Sequence, residues 1–304
     1  MEITGDLSFS VEESTLLDMH SVLNVMNVIN FEVMNLSEAL HDPPELNQLE
    51  KMIVDTADSL RDPEEAERQV GSVATFIDTF EKTVGGAISA RDMANDPAVK
   101  ASLENVRTIF DILQLRAEEI VARHRSPTAW VDHDISKLQN NFMNVFHAIE
   151  RNSKGEYRIV YNLAEHEEGN YLVNFDITSH NGRTVAMPAV FQDVMRDLLA
   201  NARKYTAPGG TITAGLFNSG AELRYVVTDT GVGIPPNEIQ TAVQFGVRGS
   251  NVQHRPTRGG GFGLTKAYHV TKTFGGRMWI DSPVVGNVGT RIEIRIPVPP
   301  ATAS

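Results

Sequence analysis

The chain has 304 residues, 41% of them hydrophobic, no cysteine and a formal net charge of -12. That length is enough for two ordinary cores, the lack of cysteine excludes disulfides and thiolate metal sites, and no run approaches the ~18 consecutive apolar residues of a membrane helix. Residues 1–70 hold 16 Asp and Glu against 3 Lys and Arg, while the remainder holds 23 against 24, so the net charge sits at the N-terminal end. There it repels phosphate backbones and anionic lipid, which argues against nucleic acid or membrane binding through this segment. It is either a solvated face or a surface selective for a partner with basic rims. The opening MEITGDLSFSVEES lacks the basic and apolar regions of a secretory signal, so the chain reads as cytoplasmic.

From about residue 12 to 152 the apolar periodicity is helical. Leu16, His20, Leu23, Met26 or Asn27, Asn30, Val33 and Leu40 recur near every 3.5 residues, Leu103, Val106, Phe110, Leu113 and Ile120 mark another long helix, and Ile135, Leu138, Phe142, Val145 and Ile149 a further one. DPPE at 42–45, RDPEE at 61–65 and NDP at 95–97 are natural breaks before helix starts. About four or five helices follow from this pattern, their stripes read as core or bundle seams.

After Lys154-Gly155 the pattern changes. EYRIVYNL, NYLVNFDI, GTITAGLF and ELRYVVTD are short runs rich in Val, Ile, Tyr and Phe between Gly, Asn and Pro turns. Helical stretches at about 188–205, 235–246 and 263–274 interrupt them. The fold class is α+β, with a helical domain over 1–155 and an α/β domain over 156–304.

Three clusters in the second half carry chemistry: DLLANARKYTAPGG at 197–210, VTDTGVGIPP at 227–236 and TRGGGFGLTKAYHV at 257–270. Asp229 ends a predicted strand and is followed by Gly231 and Gly233. A carboxylate is thereby fixed at a sheet edge beside backbone that can bend closely round a flat ligand, which suits accepting from an exocyclic amine. The same residues could also be a plain strand-to-helix turn. The run Gly259-Gly260-Gly261-Phe262-Gly263 precedes an amphipathic helix whose first N–H groups are unpaired, a ready site for phosphate oxygens. The preceding GVRGSNVQHRPTR, with Arg248, Arg255 and Arg258, reads as a flap over that site or as an ordinary loop. Asp197, Asn201 and Lys204 stand at i, i+4 and i+7 on one helix face. They can supply an oxygen to Mg²⁺ and a cation to phosphate, or merely a solvated face.

In order and spacing these clusters resemble the ATP-binding domain of sensor histidine kinases, within the GHKL superfamily (Bergerat fold) of gyrase, the Hsp90 chaperones and MutL, over roughly 157–298. LLANARKYT resembles the asparagine box, DTGVGIP the first glycine box, Phe245 in AVQFGVRGS the phenylalanine box and GGGFGL the second glycine box. The resemblance implies ATP and Mg²⁺ as cofactors. Asn201 would hold Mg²⁺, Lys204 a phosphate and Asp229 the adenine amine, with Tyr205 packed on the base. Phe245, Arg258, Gly259, Gly261, Gly263 and Leu264 would border the nucleotide along with Gly231 and Gly233. Two departures stand out. Asp197 replaces the usual second asparagine, which leaves it able to serve the metal or a water, and GGGFGL replaces GxGLGL.

The resemblance also implies a dimerising helical hairpin of the four-helix-bundle type before the ATP domain, with an exposed phospho-accepting histidine on its first helix. His20 fits that place: it begins a long helix, and Asn24 lies one turn along the same face. His133 leaves too few residues for a hairpin, His147 falls off its helix's apolar stripe, and His41 and His124 sit near breaks. Ser21 stands where family members carry Glu or Asp, so autokinase activity is expected to be weak or to need help. Asn24 stands where phosphatase-competent kinases carry Thr or Asn. From His20 to Asn201 is 181 residues, more than a simple hairpin requires, which implies extra helices between about 45 and 125. The expected partners are a response regulator receiver domain and a second copy of the chain. Two rivals are an ATP-gated clamp without phosphohistidine and a degenerate kinase serving as a receiver-binding scaffold. A His20→Ala variant separates kinase from clamp, because only the kinase loses acid-labile labelling.

Overall fold

The computed structural model describes residues 1–153, 155–253, 261–283 and 288–300, and the chain divides into two compact units: Ser8–Pro127, and Met1–Leu7 together with Thr128–Ser304.

The first unit is all helical: α1 (Val11–Ala39), α2 (Pro44–Ser59), α3 (Pro63–Gly71), α4 (Val73–Ala90) and α5 (Pro97–Arg125). The starts follow from local chemistry. Ser10 accepts from Glu13 N–H at 3.1 Å while Glu13 Oε2 accepts from Ser10 N–H at 2.8 Å, a capping box. Asp62 and Asp96 cap α3 and α5, each with proline at the first helical position. On α1 the buried series Met19, Val22, Met26, Ile29, Val33, Leu36 and Leu40 steps by three and four. That spacing draws one face of a 3.6-residue helix onto α5 and α2. Each fully buried aliphatic side chain of this seam contributes about 1.5–3 kcal/mol. Phe80 of α4 meets Phe110 of α5 edge-on, with centroids 4.8 Å apart.

The second unit contains β1 (Trp130–Asp134), α6 (Ile135–Asn152), β2 (Ile159–Val160), β3 (Tyr171–Ser179), β4 (Thr184–Pro188), α7 (Phe191–Tyr205), β5 (Thr211–Asn218), β6 (Glu222–Asp229), α8 (Gly263–Thr273), β7 (Arg277–Asp281) and β8 (Thr290–Pro297). Six strands form a mixed sheet in the order β2-β3-β5-β6-β8-β7, and β1 pairs antiparallel with β4. β2–β3 and β3–β5 are parallel; the remaining pairs of the large sheet are antiparallel. In β6 the burial alternates strictly, placing Leu223, Tyr225, Val227 and Asp229 on the inward face. Their core partners include Val194, Leu198 and Ala202 of α7 and Ala267, Tyr268 and Val270 of α8. The N-terminal residues add to the β7 edge: Glu2 bridges Trp279, Ile3 N–H donates to Met278 O at 2.9 Å, and Ile3 enters the core.

Three expectations change. The division falls at 127/128, not 155/156, because Leu138, Phe142 and Phe146 of α6 pack into the core of the sheet unit. An amphipathic period shows that a helix has a core-facing side without naming the core. Residues 235–246 form no α-helix. A 3-10 turn at Pro236–Glu238 is followed by further turns. Finally, β1, β4, β7 and β8 add to the strands expected. No helix among the described residues is long and apolar enough to cross a membrane.

Candidate functional site

The site of the sheet unit is built where α7, the end of β6 and the start of α8 converge. On α7 the apolar residues Val194, Leu198 and Ala202 take the core face, leaving Asp193, Asp197, Asn201 and Lys204 as a polar stripe stepping by four, four and three. Gly263, the first residue of α8, lies against this stripe. A Cβ there would come within 2.7 Å of Asn201 Nδ2 and 3.5 Å of Asp197 Cβ, so a side chain at this position would displace the Asn201 amide. One turn on, Lys266 is 2% exposed; its ammonium donates to Asp193 Oδ2 at 3.0 Å and lies 4.0 Å from Asp197 Oδ2. Arg196 also donates to Asp193.

Asp229, 9% exposed, is held at the end of β6 by Gly231 N–H at 2.8 Å and by the Thr290 backbone N–H. Burial pushes its carboxyl up to about 6, with those two N–H donors pulling the other way. The surrounding backbone is interlocked. Val232 N–H donates to Tyr205 O at 3.2 Å and Gly289 N–H to Gly231 O at 2.6 Å. A Cβ on Gly231 would stand 2.6 Å from Tyr205 O, and one on Gly289 would stand 2.4 Å from Asp229 O. Gly233 adopts φ +73° beside Ser282, whose hydroxyl accepts from Ile234 N–H at 2.7 Å and donates to Gly289 O at 2.9 Å. A carboxylate is thus presented from a scaffold with little room to move.

Toward α8, Phe245 packs on Phe262 with centroids 4.6 Å apart and a 32° tilt. Gly261 turns the chain at φ +79°, where a Cβ would meet Val247 O at 3.2 Å. Thr265 Oγ1 donates to Gln244 O at 3.1 Å. Leu264 packs at the margin of the core. The Lys204 ammonium lies 5.1 Å from the centre of the Tyr205 ring. Arg258 and Gly259, expected at this site, lie outside the described residues.

In the helical unit His20 is 8% exposed, against the expected exposed acceptor. It lies on α1 beside Met19 of the buried seam, and Asn24 Nδ2 is 3.2 Å from its Nε2. With the amide donating, the ring proton is assigned to Nδ1. Ser21 Oγ is buried with no hydrogen-bond partner among the described residues, so it does not hold the imidazole as a carboxylate would.

The structure therefore brings Asp197, Asn201 and Gly263 together, and Asp229, Gly231 and Gly233 together, with Tyr205 O joining the two groups. The sequence reading missed Asp193, Lys266, Ser282, Gly289 and Thr290. Asp193 extends the i, i+4 stripe by one turn and was legible on that ground. Gly289-Thr290, at a strand start, had only its glycine as a signal.

Asn201, one turn after Asp197, offers a hard oxygen of the kind Mg²⁺ takes beside substrate phosphates, and Gly231, Gly261 and Gly263 keep the neighbouring backbone free of side chains. The donor set fits a Mg-nucleotide.

Residues 188–300 match the family described as "Histidine kinase-, DNA gyrase B-, and HSP90-like ATPase". Sensor histidine kinase Hik2 of Thermosynechococcus vestitus is 37% identical over 108 residues, 36% of this chain and 28% of that protein. Adaptive-response sensory kinase SasA of Synechococcus elongatus is 33% identical over 114 residues, 37% of this chain and 28% of that protein. The matched stretch thus spans under a third of either relative. A solved structure of the mycobacterial sensor histidine kinase MprB aligns with 56% of this chain and 99% of its own at 22% identity and a TM-score of 0.40.

Proposed function

We propose, from the premise that residues 188–300 form an ATP-binding domain of the histidine kinase, gyrase B and HSP90 type, that the chain is a histidine protein kinase of a two-component system. The observation that carries this reading is the buried Asp229 carboxyl, fixed by Gly231 and Thr290 N–H groups at the end of β6. Ionised, it accepts from an exocyclic amine while glycine backbone closes on the ring. Tyr205 and Phe245 border the base, and Lys204 and Arg258 pair with phosphate. Gly263 and Leu264 open α8 toward the phosphate oxygens, and Gly259 and Gly261 are assigned to the same phosphates. Asn201 supplies an oxygen to Mg²⁺. Bound Mg-ATP supplies the terminal phosphoryl group with its charge spread by the metal.

His20 is the proposed acceptor: a neutral ring nitrogen attacks in line and later passes the phosphoryl group to a receiver aspartate of a response regulator. Its burial means that transfer requires a conformation in which the ring is open. The Asn24 contact at 3.2 Å engages the Nε2 lone pair, and Ser21 gives the ring no carboxylate. Both support a lean toward dephosphorylating a receiver, with Asn24 orienting the attacking water. Pairing of two copies through the helical unit is supported by the exposed Val28 (41%), Phe31 (42%) and Met34 (52%) along α1. The proposed site of action is the cytoplasm.

Labelling with radioactive Mg-ATP tests the kinase. Acid-labile label is expected on the wild type and absent from His20→Ala and Asn201→Ala; label that survives in His20→Ala removes the acceptor assignment. For the phosphatase lean, wild-type protein is expected to speed loss of phosphate from a receiver and Asn24→Ala to slow that at least about tenfold. Equal rates for the two would end it.

A further inference from the structure

Lys266 is the least expected residue in the sheet unit. A lysine ammonium buried to 3% exposure is costly to desolvate unless it is paired, and its α8 neighbours Ala267 and Val270 belong to an apolar core that an aliphatic side chain would extend. Its partners explain its presence. It donates to Asp193 Oδ2 at 3.0 Å, one turn before Asp197 on α7, and stands 4.0 Å from Asp197 Oδ2, one turn before Asn201. It also lies one turn inside the helix start at Gly263, whose Cα abuts Asn201 and Asp197. One side chain therefore ties the opening of α8, with its unpaired N–H groups, to the stripe that carries Asn201.

The charge matters as much as the tie. A carboxylate at position 197 would sit beside the phosphates of a nucleotide and repel them, and it would also compete to ligate the metal. An ammonium 4.0 Å away in a desolvated seam offsets that charge.

Resting on the reading of this seam as a Mg-nucleotide site, we propose that Lys266 is a positioning residue: it holds the first turn of α8 against α7 and neutralises Asp197. Asn201 is then the side chain that meets the metal, and Asp197 stays outside its coordination.

The test is the ratio of ADP affinity with Mg²⁺ to that with EDTA, measured by calorimetry on the full chain. In the Lys266→Met variant Asp197 loses its countercharge, so metal-free ADP is repelled and the metal complex gains a ligand. The ratio is expected to rise about tenfold or more. Adding Asp197→Asn to that variant is expected to bring it back to within about twofold of wild type. A purely structural lysine would weaken both affinities alike and leave the ratio unmoved, which would overturn the proposal. Asp197→Asn in the wild-type background decides the matter even if Lys266→Met fails to fold: a ratio within about twofold of wild type supports the proposal, and a drop of about tenfold makes Asp197 a metal ligand and overturns it. No binding of ADP by the wild type in either buffer would remove the nucleotide reading itself, and the proposal with it.

Discussion

The helical unit and the sheet unit bury polar groups to different ends. In the helical unit the buried positions of α1 form an aliphatic seam, and its buried carboxylate, Glu32, has long contacts: Asn35 Nδ2 at 3.4 Å and Asn105 Nδ2 at 3.5 Å. In the sheet unit Asp193, Lys266 and Asp229 are buried in the middle of the candidate site, and Asp229 sits against its own charge preference. Close packing supports the first unit, whereas the second gives up stability to hold a desolvated charge where a ligand can use it. Substitutions should therefore separate stability from affinity in opposite directions in the two units.

The largest effect is expected from Phe80→Ala. This side chain is 1% exposed and packs edge-on against Phe110, so truncation should leave a cavity costing about 3–5 kcal/mol in urea unfolding of the helical unit. Nucleotide affinity should change by less than about twofold, since Phe80 and the candidate site belong to separate compact units. A fall of tenfold would mean that the two units do not keep stability and binding apart.

Asp229→Asn should do the reverse. The folded carboxyl takes up its proton at about 6 and the unfolded one near 3.8, so above pH 6 the folded state carries a charge that burial disfavours. Folding is then weaker above pH 6 than below 4, a penalty of about 1–3 kcal/mol from this group. Asparagine removes the charge and keeps an acceptor for Gly231 N–H. Affinity for Mg-ADP should drop about a hundredfold, about 2.7 kcal/mol, while the thermal midpoint at pH 8 rises by a few degrees. A variant that binds as well as wild type would show that the carboxyl does not read the base.

The elements and residues of the two units also differ in how far they were legible in the sequence. Asp229 stands out because a strand ending in Asp, followed by two glycines, also resembles the first glycine box, although the residues alone allow a plain turn. The α1 seam and α7 stripe could be read because helical period is local. The membership of α6 could not, since its pattern is equally compatible with either core. β1 (WVDHD) and β4 (TVAMP) are too short and mixed to stand out, and they form only as each other's partners. β7 and β8, by contrast, alternate plainly in RMWID and TRIEIRIP, the period of two that marks half-buried strands. Lys266 looks like a surface lysine until α8 is known to lie on α7, and the burial of His20 depends on packing that no local pattern carries.

A pH series sharpens the contrast at a smaller scale. Ionised Asp229 is the form that accepts from the base, so Mg-ADP affinity should be flat above pH 7 and fall by up to about tenfold per pH unit below about 6. Saturating Mg²⁺ keeps the phosphates ionised across that window. The unfolding free energy should not follow this fall through the same group, because protonating Asp229 favours the folded chain. Affinity that stays level down to pH 5 would remove Asp229 as the titrating acceptor.

The smallest effect is expected at Phe262, the residue that departs from the family's usual leucine. Its ring lies 4.6 Å from that of Phe245, a pair worth about 0.5–1.5 kcal/mol beyond area burial. Phe262 follows the turn at Gly261 and directly precedes α8, so the pair braces that turn against the segment that carries Phe245. Phe262→Leu keeps an apolar side chain and loses the ring contact. The expected result is a loss of about 0.5–1 kcal/mol in stability and a two- to fivefold faster release of Mg-ADP, read by stopped-flow displacement, as the brace loosens. Phe245→Leu should give the same change, and the double variant little more than either alone, because two residues in contact share one interaction. Additive losses would mean that the rings act separately and that the phenylalanine in GGGFGL is a neutral replacement.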